Sequence, residues 1–383
     1  LSLWSYSLLF KKYNLLSSRI GIALILFTAS GCIQSEETTN TKNHHYTGHY
    51  TDSHVHTVDF MQEGESLNKL LKSMDQNNID HSMIAGIGVM KKWAENEPQR
   101  PQYYLSDNSP VYWYSATDYQ LMKQYTDLSP EQQSRLHPFI AGFNPTDIQS
   151  VDQVARLLKL YPQHWQGIGE IFTRHDDLSA LTEGEIARAN HPALLKIYKL
   201  AAKNDLPVMI HSNLTSKRED DWLYLPELED ALELSPKTRF IWAHAGTSGT
   251  LHRWQTHEKL HILIARLLEK HDNLWIDLSW SVLKPYIFQQ ANELQKNSDA
   301  TNVNSNSTSA KKGDQPQVSQ EWITLIEKFP HKFMIGSDVV GKYSSQGKLM
   351  HEFNPLLDKL KPATAHLVAK ENFINILPHW AQP

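Results

Sequence analysis

Six ionisable residues close short apolar runs, and their types suit one kind of chemistry. His54 and His56 alternate with Val55 in "TDSHVHTVDF", two places behind Asp52. Glu170 stands in "QGIGEIF", His211 in "LPVMIHSN", His244 in "TRFIWAHAG" and Asp338 in "KFMIGSDVV". Alternation at period two sends residues 52, 54 and 56 to one face of a strand. Imidazoles and carboxylates gathered in a cavity desolvate badly unless a divalent cation neutralises them, so the set reads as a metal site. Nitrogen and carboxylate ligands without sulfur suit Zn²⁺ first, and also Mn²⁺, Co²⁺ or Fe²⁺, as one ion or two. Any one of these residues alone is more often structural; the grouping carries the reading.

The elements that must position them come next. With the opening stretch, the runs at 80–89, 137–145, 166–172, 206–213, 238–246, 273–280 and 332–340 read as eight buried strands. Segments such as "SLNKLLKSMDQNN" and "HILIARLLEKHDN" lie between them with helical spacing and end in breakers. Eight βα units in one chain predict an α/β fold, a single (β/α)8 TIM barrel, whose strand ends form one catalytic ring. Two connections exceed what a barrel needs. Residues 90–135, rich in Trp and Tyr, form an insertion that either covers substrate or packs on the barrel, and 296–320 reads as a disordered loop.

Composition bounds the rest. At 40% hydrophobic and 21% charged, the 383 residues are an ordinary globular chain. The net charge is -5 although the first 31 residues hold Lys11, Lys12 and Arg19 and no acid, so the remainder is more acidic still and nucleic acid is not an expected partner. Those basic residues precede "IGIALILFTASGC", the layout of a signal peptide over 1–31. Ala29-Ser30-Gly31-Cys32 resembles the lipobox of bacterial lipoproteins, which implies that Cys32, the single cysteine, is lipidated. Ile33 rather than Asp follows, so in a Gram-negative host the expected place is the outer membrane, facing the periplasm. Residues 32–49 then form a polar tether and 50–383 the barrel domain.

The motifs "DSHVH", "MIHSN", "WAHAG" and "IGSD", with "KENFINILP" near the end, resemble the amidohydrolase superfamily, in its amidohydrolase-related branch. That resemblance implies that His54, His56, His211 and Asp338 hold one metal, and that His244 either polarises the substrate or binds a second ion. Glu170 either bridges two metals or supports the ligands by hydrogen bonding. Asp338 would also shuttle the proton between water and leaving group in hydrolysis of an amide, lactone or ester of a small molecule. The alternatives are a metal-dependent non-oxidative decarboxylase on the same ligands and a non-catalytic binding protein of the envelope. Arg174, Asn213 and Trp280, each just past a strand, are weaker candidates for substrate contact. Asp277 and Ser279 either line the barrel mouth or accept hydrogen bonds from neighbours.

Overall fold

The structure is a computed structural model that describes residues 45–93, 96, 99–100, 109–175, 178–219, 221–249, 251, 259–289 and 317–382. Cys32, residues 1–31 where a leader is expected, Tyr103, Tyr104 and residues 296–316 lie outside the described residues. Among those described, no helix is long and apolar enough to cross a membrane.

Apolar runs bounded by breakers become strands because both faces are covered, and here they pair in parallel throughout the ring. β1 spans Tyr50–Asp52 and resumes at Val55–His56; β2 is Ile79–Ala85, β3 Leu136–Ile140, β4 Gly167–Thr173, β5 Val208–Ser212, β6 Phe240–Trp242 and β7 Leu274–Asp277. β8 comes in two pieces of one segment: Phe333–Met334 pairs with β7, and Val339–Val340 pairs with β1. Bonds from Leu278 N to Met334 O (2.9 Å) and from Asp338 N to His54 O (2.8 Å) join that segment to both neighbours, so the barrel closes. The TIM barrel expected from the pattern is the fold observed.

A helix follows each strand. α1 (Leu67–Gln76) buries Leu67, Leu70, Leu71 and Met74, one stripe at helical spacing, and full burial of each such side chain contributes about 1.5–3 kcal/mol. α2 (Ala116–Thr126), α3 (Ser150–Leu160), α4 (Pro192–Lys203), α5 (Leu225–Leu234), α6 (Leu260–Lys270), α7 (Gln320–Lys328) and α8 (Gln346–His351) complete the set. Strand residues alternate between two cores. Val208 and Ile210 join the layer under the helices, while Met209 points into the barrel with Met83, Phe139, Ile241 and Met334. Asn372 fixes the closing turns, donating to Pro330 O at 2.8 Å and Phe333 O at 2.7 Å, and Phe373 plugs the interior beside Phe139.

Four local expectations change. Asp52, His54 and His56 do not share one face: Asp52 pairs with Ser82 and His56 with Ala85, so four steps of β1 oppose three of β2. That extra residue is a bulge, and it turns the Asp52 side chain to Ser337 N (2.8 Å) and Gln346 Nε2 (2.9 Å), where it ties β1 to β8. The 90–135 insertion is shorter than expected, because α2 and the turn Pro130–Gln133 are regular barrel structure; the described residues of the remainder include a hairpin, Val89–Lys91 against Val111–Trp113. Residues 317–320 are ordered rather than loop, since Gln317–Val318 pairs with Phe288–Gln289 and the Ser319 side chain caps α7. Packing also begins before residue 50: Tyr46 N donates to Asp358 at 2.6 Å and His49 Nδ1 meets Asp80 at 2.7 Å.

His137 faces the barrel interior, its Nδ1 at 2.6 Å from Gln166 Oε1 and its ring against Phe373. Burial, reinforced by His81, pushes its pKa down from 6.5 to about 3. A neutral histidine held this way stabilises the fold fully above its unfolded pKa, and that contribution falls away as pH drops from 6.5 towards 3. Between pH 7.5 and pH 5 the protein should therefore lose about 2 kcal/mol more than His137→Gln does. Urea midpoints at both pH values measure it, and equal losses would remove His137 as the cause.

Candidate metal centre

The sequence brings five side chains to one point by ending strands there. His54 and His56 leave β1, Glu170 comes from β4, and His244 and Asp338 sit just past β6 and in β8. Local backbone geometry aims the last two: both residues have left-handed backbones, with φ of 53° each, a strained setting for side chains of this kind. Gly169 serves the same end, because its φ of 120° suits glycine alone and an added Cβ would lie 2.1 Å from Met209 O.

Glu170 is the hub. Its Oε2 lies 3.3 Å from His54 Nε2 and 3.1 Å from His56 Nε2, and its Oε1 lies 3.0 Å from His211 Nδ1 and 3.4 Å from His244 Nε2. Asp338 closes the ring at 3.5 Å from His56, 3.8 Å from His54 and 3.9 Å from His244. The ligand-capable atoms form two groups that share His54, one with His56 and Asp338 and one with Glu170 and His244, and within each group the atoms lie within 4.8 Å of one another.

The back side of each inward ring is held. His54 Nδ1 lies 2.9 Å from Asp277 Oδ2, His56 Nδ1 lies 3.1 Å from Gly86 O, and His244 Nδ1 lies 3.2 Å from Ser279 O. Ser279 Oγ also donates to Asp277, and Ser53 Oγ binds the other Asp277 oxygen at 2.9 Å. Protons placed on Nδ1 leave three Nε2 lone pairs facing the centre, which is the tautomer and orientation that a metal ligand needs. This donor chemistry fits a divalent cation of the zinc class.

Electrostatics agree. Burial opposes the charge on Glu170, but the neighbouring His54 and hydrogen bonds from His211 and His244 hold its carboxyl well below the usual range. Burial likewise opposes the charge on His54, yet Glu170 and Asp338 outweigh it and raise its pKa well above 6.5. The buried Glu170 and the partly exposed Asp338 thus face the imidazoles together and favour positive charge between them, which a proton or a metal can supply.

Above the cluster lies a cavity of about 340 Å³, a size suited to a small molecule, with Phe60, Phe172, His175 and Trp280 on its walls. Trp280 stands edge-on to His244 at 5.0 Å. The other two candidates for substrate contact are placed away from it: Arg174 pairs with Glu227 and lies 4.5 Å over the Tyr224 ring, and Asn213 Oδ1 lies 2.9 Å from His211 Nε2. His211 therefore turns its Nδ1 to Glu170 and its Nε2 to Asn213, and it joins the cluster through the carboxylate. Its ring stacks on His175 at 4.3 Å. The Asp277 and Ser279 pair, which the sequence left between two roles, makes hydrogen bonds that orient His54 and His244. The Gly86 carbonyl and His175 had no signal beyond following a strand.

A family model described as amidohydrolase matches residues 173–372, more than half of the chain. The chain belongs to the amidohydrolase family. Solved structures agree on the fold of this amidohydrolase. One from Burkholderia multivorans with bound HEPES is 13% identical, with a TM-score of 0.51 over 88% of this chain and 100% of that one. A second crystal form of the Burkholderia protein, with bound zinc, gives 12%, 0.50, 88% and 100%. A 2,6-dihydroxybenzoate decarboxylase from Rhizobium, 9% identical with a TM-score of 0.46 over 86% of this chain and 98% of that one, is more distant. At such identities the likeness concerns fold alone. No curated protein matches the chain.

Proposed function

We propose that this amidohydrolase is a metal-dependent hydrolase that cleaves an amide, lactone or ester bond of a small molecule. One observation carries the reading: both carboxylates of the cluster line the cavity, but Glu170 is only 2% exposed and is engaged by four imidazoles, whereas the Asp338 side chain is 11% exposed to the cavity. A ligand that can also exchange protons with a bound molecule is what hydrolysis requires and a storage site does not.

His54, His56 and Asp338 would hold a divalent cation, zinc by preference, with Glu170 and His244 supplying the second donor group. The cation's contribution when bound is Lewis acidity, which makes water nucleophilic near neutral pH and polarises a carbonyl. Asp338 then takes the proton of the attacking water and returns it to the departing nitrogen or oxygen. His244 Nε2, 3.4 Å from Glu170, faces the space where the substrate oxygen lies. Trp280 and Phe172 exclude bulk water from that space, which strengthens every charge interaction within it.

A panel of esters, lactones and amides, assayed with zinc, with manganese and after chelation, tests this. At least one C–O or C–N bond should be cleaved, with activity lost on chelation and restored by metal. Carbon dioxide release from aromatic carboxylic acids, with no hydrolysis across the panel, would replace the reading by a decarboxylase.

A further inference from the structure

The rim of the cavity carries a charge that the chemistry at the cluster does not use. Lys342 and Ser345 line it beside the apolar Phe60, Val340 and Leu349. Lys342 is exposed, and among the described residues it has no hydrogen-bond or ion-pair partner.

The acids around it are taken. Glu65, whose charge Lys342 feels, is bound at Oε1 by Lys69 (2.8 Å) and at Oε2 by Tyr343 N (3.2 Å). Asp59, the wall's remaining carboxylate, accepts Met61 N at 2.8 Å and Glu63 N at 3.1 Å on Oδ1, and Arg100 Nη2 at 3.2 Å on Oδ2. Lys342 is thus left as an ammonium on the wall it shares with Phe60, Val340 and Leu349, facing the same cavity as the reacting centre. It lies four residues beyond Asp338, so the two Cα atoms are at most about 14 Å apart.

We propose that the substrate carries a carboxylate that Lys342 binds at the rim, with the Ser345 hydroxyl beside it. The apolar body of the molecule lies on Phe60, Val340 and Leu349, and its scissile bond faces the cluster. Orientation follows from the rim: Lys342 favours the carboxylate there, because the neighbouring Glu65 and Asp59 already have partners of their own. The assignment rests on the hydrolase reading for the reaction, but the anion site itself does not depend on turnover.

Two pairs of probes separate these. The first is 4-nitrophenyl hemisuccinate against 4-nitrophenyl butyrate, which share a leaving group and differ in the carboxylate. Lys342→Met should lower the ratio of their kcat/KM values roughly tenfold, and Lys342→Arg should keep it. The second pair, 3-phenylpropionate and 3-phenylpropanamide, is titrated into the metal-loaded protein while tryptophan fluorescence is followed. The carboxylate should bind roughly tenfold more weakly to Lys342→Met, with a smaller change for the amide. A carboxylate preference that survives in Lys342→Met would place the anion on the cluster and overturn the proposal, as would equal binding of acid and amide to the native protein. Cleavage of neither ester together with a Lys342-dependent preference for the acid would support the anion site while counting against hydrolysis.

Discussion

Asp338→Asn should lower kcat by about 10²–10⁴-fold while leaving the fold intact. The amide is nearly isosteric with the carboxylate, and the backbone bond from residue 338 N to His54 O at 2.8 Å does not involve the side chain. Packing is therefore kept. Lost are the capacity to take a proton and the negative charge that faces three imidazoles at 3.5–3.9 Å. Turnover on the best substrate of the panel, measured with a thermal melt, separates the two effects. Activity within a few-fold of the native protein would end the case for Asp338 as the shuttle.

Gly169→Ala should be severely damaging. The φ of 120° is a region that alanine scarcely enters, and the new Cβ would sit 2.1 Å from Met209 O, a backbone atom of β5 that cannot rotate away. Strain of this kind costs about 1–3 kcal/mol before the clash is relieved. Relief requires β4 and β5 to part, and Glu170, the next residue, would move with them. Its four histidine contacts, all within 3.0–3.4 Å, would then be lost together. We expect a loss of more than about 3 kcal/mol in urea unfolding, with activity abolished in the folded fraction. A Gly169→Ala protein of native stability and activity would contradict this account of how Glu170 is placed.

These two sites show why part of the architecture was legible and part was not. Strands buried on both faces are uninterrupted apolar runs, and a barrel places whatever polar residue ends each run on one ring. His54, His56, Glu170, His244 and Asp338 could therefore be grouped from position alone. The direction of a ring is a different matter. His211 turns its Nδ1 to Glu170 because Asn213 takes its Nε2, a side-chain contact that no spacing reveals. Asp52 alternates with the histidines in sequence, but a one-residue bulge removes it from their face. Asp277 and Ser279 pair with residues more than 30 positions away, and such partners appear only once β1, β6 and β7 are neighbours. The polar stretch 45–49 lacks periodicity because it packs through single contacts to Asp80 and Asp358 rather than through an apolar stripe.

The claim on which the rest depends is that the cluster binds a divalent cation. Elemental analysis of purified residues 33–383, alongside a His54→Ala, His56→Ala double variant, tests it most directly. At least one ion per native chain should be found, and the variant should lose it; a second ion lost with the first would mark Glu170 as the bridge between the two donor groups. Absence of metal from the native protein after incubation with zinc or manganese would mean that protons, and no cation, neutralise Glu170 and Asp338.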